Sequence, residues 1–303
     1  MTTHGVGLVE VLESLPDPVV VLFALLTQLG DLWFYFLVLS VLYFFGDRLP
    51  RLEGAVDRRR AAYLVALVLG AAALTATLKG TFLLQRPPGA GTAELATRFP
   101  DPLGGLYVEA ATADGYGFPS GHATSAAVVW VGAATVLGIG RSRVRYAVAG
   151  TVTVLIALSR VVIGVHFAAD VVVGLAVGLC YLAIADRASD RGGSPGRAFS
   201  LAVAVALVGL LLAGFDSEPV ALLGATLGAR IAWGALGSAL LAMPVSRGEG
   251  VVNLAVGLPV FGGLLGVVYV LEPAPTVAFL GAALSLGGVI ATPLVGEYVG
   301  DRL

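Results

Sequence analysis

The chain has few charged residues, a single cysteine and three histidines among its 303 residues. Charged residues make up 13% of the chain and hydrophobic residues 57%, whereas a soluble domain carries roughly twice that share of charge. This composition predicts a membrane protein. The lone cysteine, Cys180, excludes a disulfide within the chain. No basic patch interleaved with aromatic residues occurs, so nucleic acid is not a predicted partner.

Apolar runs recur along the whole chain, and about 20 residues suffice for a helical span. They predict an all-α fold: a polytopic transmembrane helical bundle of about nine spans. In the first run an alternative stays open, an interfacial stretch that breaks at Gly30-Asp31 before a shorter span. No Lys or Arg precedes residue 48, so the N-terminus is unlike a cleavable signal peptide. The predicted spans are 20–45, 61–79, 121–140, 146–163, 167–185, 199–215, 220–243, 251–271 and 275–295.

Lys and Arg residues gather at alternate ends of these spans, thirteen on one face and four on the other, with Arg230 inside a span. The positive-inside rule makes the Arg-rich face cytoplasmic and puts the N-terminus outside. We therefore expect a multi-pass protein of the cell membrane. The four outer cations are Lys79, Arg86, Arg98 and Arg160.

Two of these cations stand in the segment "LKGTFLLQRPP". Lys79 and Arg86 are seven residues apart, which puts both on one helix face if the helix continues to Arg86. Alone, the pair is more typical of cations at a membrane interface. The third span begins "GFPSGHATSAA", in which Ser120 suits an N-cap and Gly121 a tight turn. A helix start of this kind binds anions, and His122 stands beside it.

The segment "SRVVIGVHFAAD" holds three polar residues in apolar surroundings. His166 and Asp170 are neighbours on one helix face, so the carboxylate can fix the tautomer of the imidazole and leave its other nitrogen free. Gly164 separates two spans, so that Arg160 ends one helix and His166 begins the next. An isolated pair of this kind is more typical of a satisfied polar contact.

The predicted topology brings the three segments to one side of the membrane. Their cations and helix start suit the oxygens of a phosphoryl group, and the imidazole of His166 suits attack on phosphorus. No cluster of carboxylates, histidines and cysteines offers the usual number of metal ligands, so neither a metal nor another cofactor is predicted.

The three segments resemble the motifs of the type-2 phosphatidic acid phosphatases, within the vanadium haloperoxidase superfamily. That family has Lys-x6-Arg-Pro, Pro-Ser-Gly-His and Ser-Arg-x5-His-x3-Asp. Here they stand as "KGTFLLQRP" from Lys79, "PSGH" from Pro119 and "SRVVIGVHFAAD" from Ser159, with no departure at a motif residue. The resemblance covers about residues 20 to 186.

The resemblance implies a role for each matching residue. His166 attacks phosphorus to give a phosphohistidine, with Asp170 holding the ring. His122 protonates the leaving alkoxide and then activates water. The phosphate oxygens are bound by Lys79, Arg86, Ser120, Gly121 and Arg160. No metal is implied.

The resemblance also suggests a division of the chain. We expect a phosphatase core of five or six spans over 1–186, a cytoplasmic linker over 187–197, and a C-terminal transmembrane extension over 198–303. The first span of the extension is a candidate for the sixth span of the core, since family members commonly have six.

The predicted substrate is a lipid phosphate or an isoprenoid pyrophosphate in the outer leaflet, hydrolysed at the extracytoplasmic face. A soluble phosphate stays open. The alternatives are a phosphotransferase using the same phosphohistidine and a non-catalytic lipid-phosphate binder or transporter. The loop from Pro88 to Phe118 is long enough to gate the entrance. For Asp31 the favoured role is a helix N-cap, and a membrane-buried pair with Arg230 is the alternative.

Overall fold

The computed structural model describes residues 15–49, 52, 54–243 and 245–300. Those residues fold into helices and contain no strand, which confirms the all-α prediction. The helices are α1 (Asp17–Thr27), α2 (Leu32–Phe45), α3 (Arg58–Phe82), α4 (Leu103–Ala111), α5 (Gly121–Val136), α6 (Ser142–Val162), α7 (Ala168–Ala188), α8 (Pro195–Ala213), α9 (Ser217–Ala242), α10 (Arg247–Leu271), α11 (Pro275–Ala291) and α12 (Pro293–Gly300).

Several of these helices are long and apolar enough to cross a membrane, as expected for a polytopic protein. Among the described residues there are six such helices, or up to eight if each of two bent pairs is one span. The predicted third span, 121–140, is not among them: it corresponds to α5, which ends at Val136 after 16 residues. At 1.5 Å per residue this helix is shorter than the roughly 30 Å hydrocarbon core.

The first predicted span is broken where the open alternative placed the break. Helices α1 and α2 meet at an angle of 48°, with a single 3₁₀ turn, Gln28–Gly30, between them. Asp31 has extended backbone and begins α2, accepting a hydrogen bond from the Leu32 amide at 3.0 Å. Its role as an N-cap is therefore confirmed.

Helix α3 lies at the centre of the bundle and packs against α2, α5, α7, α8 and α9. Its sequence, rich in alanine, glycine and threonine, lets these neighbours approach closely. Helix α8 packs along α3, so that a Cβ at Gly209 would lie 2.5 Å from the Thr77 hydroxyl. This contact is the one expected of a sixth core span, and the division of the chain at 187–197 stays a prediction.

The C-terminal helices have a close contact of their own between α9 and α11. A Cβ at Gly224 would meet the carbonyl oxygen of Phe279, and one at Gly228 the carbonyl oxygen of Ala283. The Arg58 guanidinium joins these helices to the core by donating to the Leu240 carbonyl. The small residues of α9 therefore serve packing within the chain.

Candidate active site

The C-terminal end of α3 supplies Lys79, and Arg86 follows beyond the end of the helix instead of on the same helix face. The helix does not continue to Arg86: it ends at Phe82, because Leu83 takes a left-handed conformation and its amide bonds to the Lys79 carbonyl at 3.0 Å. Arg86 follows in an extended segment held by a hydrogen bond from its Nε to the Asp114 carbonyl, 2.8 Å long. The two cations reach the site by different paths.

The start of α5 has the predicted cap. The Ser120 hydroxyl accepts a hydrogen bond from the Ala123 amide at 3.4 Å, and Gly121 and His122 form the first turn. The Ser120 amide donates to the Asp170 carbonyl at 3.0 Å, which fixes the start of α5 against the start of α7. The first amides of a helix have no partner within it, so these ends offer donors to an anion.

The turn between α6 and α7 brings Arg160, His166 and Asp170 together. Arg160 lies in the last turn of α6 as predicted, but His166 lies in the turn before α7, which begins at Ala168. Gly164 has φ +78°, a conformation that glycine adopts without strain, and the His166 amide bonds back to the Arg160 carbonyl at 3.1 Å. All three side chains are buried. The Asp170 carboxylate caps α7 by accepting from the Phe167 amide at 2.9 Å, and its Oδ2 lies 3.4 Å from Nδ1 of His166.

The contact between Arg86 and His166 assigns the tautomer of the imidazole. Nη1 of Arg86 lies 3.0 Å from Nε2 of His166. A guanidinium only donates, so Nε2 accepts and the proton of the neutral ring is on Nδ1, facing Asp170. Burial, and then the nearby Arg86, Arg160 and Lys79, lower the pKa of His166 below its usual range, against the raising effect of Asp170. Nε2 is thus an unprotonated nitrogen among cations.

The remaining cations complete the group. Nη1 of Arg160 donates to the hydroxyl of Thr27 on α1 at 2.8 Å. Lys79, in the last turn of α3, lies within electrostatic range of Arg86, Arg160 and Asp170. Every predicted site residue is therefore at the same end of the helices, around His166.

Two contacts in this region were not predicted from the sequence. Thr27 holds Arg160, and Oδ2 of Asp31 lies 3.5 Å from Nε2 of His122. Arg230, the alternative partner of Asp31, donates from Nε to the Ser200 hydroxyl at 2.8 Å. Asp31 therefore faces the site. No spacing along the chain relates these residues, so no short motif signals the contacts.

The loop from Pro88 to Phe118 packs on α1 beside the site. Tyr107, Ala110 and Ala111 of α4 form a buried cluster with Ala24 of α1. At the same end, Arg98 pairs with Asp17, the first residue of α1. The loop and α1 are therefore packed together beside the site. Gating by the loop stays a prediction.

The described residues include no group of three or more His, Cys, Asp or Glu side chains that could hold a metal ion. The cations and helix starts around His166 are the groups that would bind an anion. Metal independence itself stays a prediction.

The fold is an all-α bundle whose apolar helices are consistent with a multi-pass membrane protein, and the candidate site gathers cations and helix starts around His166. The family model described as PAP2 superfamily matches residues 60–191, a range that contains all three motifs. This match confirms the resemblance to the type-2 phosphatidic acid phosphatases, and it supports hydrolysis of phosphate esters. No curated protein and no solved structure matches the chain.

Proposed function

We propose that the protein is a metal-independent phosphatase that hydrolyses a lipid phosphate or an isoprenoid pyrophosphate at the extracytoplasmic edge of the membrane. The observation that carries the proposal is the 3.0 Å contact between Arg86 and Nε2 of His166. It places an unprotonated imidazole nitrogen directly beside a cation that binds phosphate oxygens well.

In the first half of the reaction, the phosphoryl oxygens accept hydrogen bonds from Arg86, Arg160, Lys79 and the amides at the start of α5. The lone pair on Nε2 of His166 forms a bond to phosphorus, and the bond from phosphorus to the ester oxygen breaks. The electron pair stays with that oxygen, which receives a proton from the imidazolium of His122. The products of this half are a phosphohistidine and an alcohol, or an isoprenyl phosphate where the substrate is a pyrophosphate.

In the second half, His122 is neutral and takes a proton from water as the water oxygen attacks phosphorus. The phosphorus–nitrogen bond breaks, its electrons return to His166, and inorganic phosphate leaves. Throughout both steps Asp170 holds the proton on Nδ1 and stabilises the positive charge that the ring develops.

A lipid substrate is favoured by the surroundings of Arg86. Three large apolar side chains just before it, Phe82, Leu83 and Leu84, are each about half exposed. A phosphate bound at Arg86 would leave its hydrocarbon chain beside these residues, within the outer leaflet. We therefore expect lateral entry from the membrane.

The decisive experiment is phosphate release by the purified protein in detergent, with a chelator, on phosphatidate, an isoprenyl pyrophosphate, phosphatidylglycerol phosphate and a sugar phosphate. We expect release from at least one lipid and none above background from His166→Ala of equal thermal stability. Equal release from His166→Ala would refute the phosphohistidine, and loss of wild-type activity with chelator would refute metal independence.

The outward orientation has its own test in a Cys180→Ser background. Gly91→Cys lies in the outer loop, where a Cβ would meet no atom within 4 Å, and Ser142→Cys lies at the exposed start of α6. We expect a membrane-impermeant maleimide to label Gly91→Cys in intact cells, and Ser142→Cys only after lysis. The reverse pattern would overturn the proposed side.

A further inference from the structure

We propose that Asp31, at the break in the first span, is a positioning residue that holds His122 with its proton on Nε2 and its Nδ1 towards the leaving group. The inference deepens the proposed function and rests on it for the meaning of that proton. Asp31 belongs to none of the three motifs, and it lies outside the matched range 60–191.

The orientation of the His122 ring carries the first step of the argument. Its Nε2 is buried, lies 3.5 Å from Oδ2 of Asp31, and has no other hydrogen-bond partner among the described residues. A Cβ at Gly30 would lie 3.2 Å from Cδ2 of the same ring. The edge formed by Cδ2 and Nε2 therefore faces the break. The opposite edge of the ring carries Nδ1, and 21% of the side-chain surface stays exposed. In the proposed arrangement this edge faces the site.

The break itself is attached to the helix that carries His122. The Gly30 carbonyl accepts a hydrogen bond from the Ser125 hydroxyl at 3.3 Å, and the Leu29 carbonyl accepts one from Nε1 of Trp130 at 3.1 Å. Both donors belong to α5, on successive turns after His122. The carbonyls of Leu29 and Gly30, which the interruption of α1 leaves without helical partners, thus bind α5. The Asp31 carboxylate follows them in the chain and contacts the imidazole of His122 on the same helix.

Glycine at position 30 is what permits this approach. A Cβ there would lie 2.5 Å from Cγ2 of Ile156 on α6, a distance that no ordinary contact allows. With glycine, the break fits between α5 and α6 and sets the depth of Asp31. The carboxylate is therefore fixed by backbone packing as well as by its hydrogen bond to the Leu32 amide.

Charge gives the carboxylate a purpose. The charged groups that face His122 are Asp31 from the break, Arg160 from α6 and Lys79 from α3. The two cations oppose the protonated imidazolium that must donate to the leaving oxygen, and Asp31 is the group that offsets them. The 3.5 Å separation is longer than a strong hydrogen bond, and such contacts shorten when a substrate is bound.

The test compares Asp31→Asn with Asp216→Asn. Both residues are aspartates at helix N-cap positions, Asp216 before α9 and Asp31 before α2, and asparagine caps helices as well as aspartate does. We expect Asp31→Asn to lower kcat/KM on an alkyl phosphate about 10- to 100-fold, as for other residues that orient a catalytic group. On p-nitrophenyl phosphate, whose leaving group departs without a proton, the loss is several-fold smaller. Asp216→Asn changes neither.

Two further results are expected in the same assays. In a His122→Ala background, Asp31→Asn causes no additional loss, because the pair acts as a unit. Equal losses on both substrates, or losses that multiply in the double variant, would show a structural role and overturn the inference. Asp31→Ser, which also suits an N-cap, repeats the test if Asp31→Asn is unstable.

A spectroscopic measurement separates this inference from the proposed function. The chain has three histidines, so its ¹⁵N-histidine spectrum can be assigned with single His→Ala variants. We expect neutral His122 in the wild type to carry its proton on Nε2, and Asp31→Asn to show mixed tautomers, since an amide can both accept and donate. If the wild type releases no phosphate but the tautomer of His122 still changes in Asp31→Asn, only the proposed function is refuted. If the wild type is active but its neutral His122 carries the proton on Nδ1, only the role of Asp31 is refuted. The same follows if the tautomer of His122 does not change in Asp31→Asn or in Asp31→Ser.

Discussion

His166, in the turn before α7, and Asp170, in the first turn of α7, are four residues apart in the chain, whereas His122 and Asp31 come from distant parts of the chain and meet through packing. The carboxylate oxygens lie 3.4 Å and 3.5 Å from the nearest ring nitrogens, so the two contacts are almost equal in length. In the first pair the local turn and the capped start of α7 set the distance. In the second, the break between α1 and α2 sets it, by packing against α5 and α6.

The comparison also extends to the nitrogen that each carboxylate faces. Asp170 faces Nδ1 of His166, whereas Asp31 faces Nε2 of His122. In the proposed mechanism this leaves Nε2 of His166 to attack and Nδ1 of His122 to deliver a proton. The two rings therefore present different edges to the space between them. Opposed tautomers suit a nucleophile and an acid that act on opposite sides of one phosphorus atom.

The largest expected effect comes from removing the imidazole of either pair. His166→Ala removes the nucleophile and should lower kcat by about 10⁴-fold or more on every substrate. His122→Ala should lower it by about 10²- to 10⁴-fold on alkyl phosphates and less on p-nitrophenyl phosphate. Rapid-quench detection of phosphohistidine checks both. Phosphohistidine in His166→Ala, or equal losses for His122→Ala on both substrates, would contradict the assignment.

A smaller loss is expected from the local carboxylate. Asp170→Asn should lower kcat by about 10²- to 10⁴-fold, because the ring loses both its orientation and the charge that stabilises it. Asp190→Asn, an exposed aspartate past the other end of α7, is the matched control and should retain full activity. A normal rate in Asp170→Asn would show that the turn alone orients His166.

These two predictions concern residues that the sequence reveals, and the reason is physical. A pair four residues apart at a helix start, a cap before a helix, and a glycine between two spans all follow from neighbours in the chain. Asp170, Ser120 and Gly164 were therefore interpretable from their spacing. Thr27 and the placement of Asp31 beside His122 depend on how α1, α5 and α6 pack, which no local pattern encodes. The end of α3 was misplaced because Leu83 adopts a left-handed conformation that its residue type does not favour.

A substitution at the break sharpens the comparison by disturbing one pair only. Gly30→Ala forces a methyl group against Ile156 and His122, and we expect about a 10-fold loss of kcat/KM on alkyl phosphates with less loss of phosphohistidine formation from p-nitrophenyl phosphate. Ile156→Ala in the same protein makes room and should restore part of the rate. Gly105→Ala on α4, where a Cβ meets no atom within 4 Å, is the control. Equal activity of Gly30→Ala and Gly105→Ala would exclude the tight fit.

The smallest expected effect is a shift in pH dependence. His166 attacks only when neutral, and because burial and cations lower its pKa, it stays neutral below its usual value of about 6.5. Asp170 raises that pKa, so Asp170→Asn should move the acid limb of kcat/KM down by about one pH unit relative to the wild type. Because both proteins are measured on the same substrate, ionisation of the phosphate cancels. An upward shift would contradict the sign.

The break in the first span has a consequence for the smallest working unit of this protein. A fragment limited to residues 60–191 would carry every recognised motif, yet it would lack the hydroxyl that anchors Arg160 and the carboxylate beside His122. In the proposed mechanism, the segment from Asp17 onward belongs to the catalytic apparatus as much as the motifs do. A truncation that preserves every signature residue would still leave one of the two histidines unsupported.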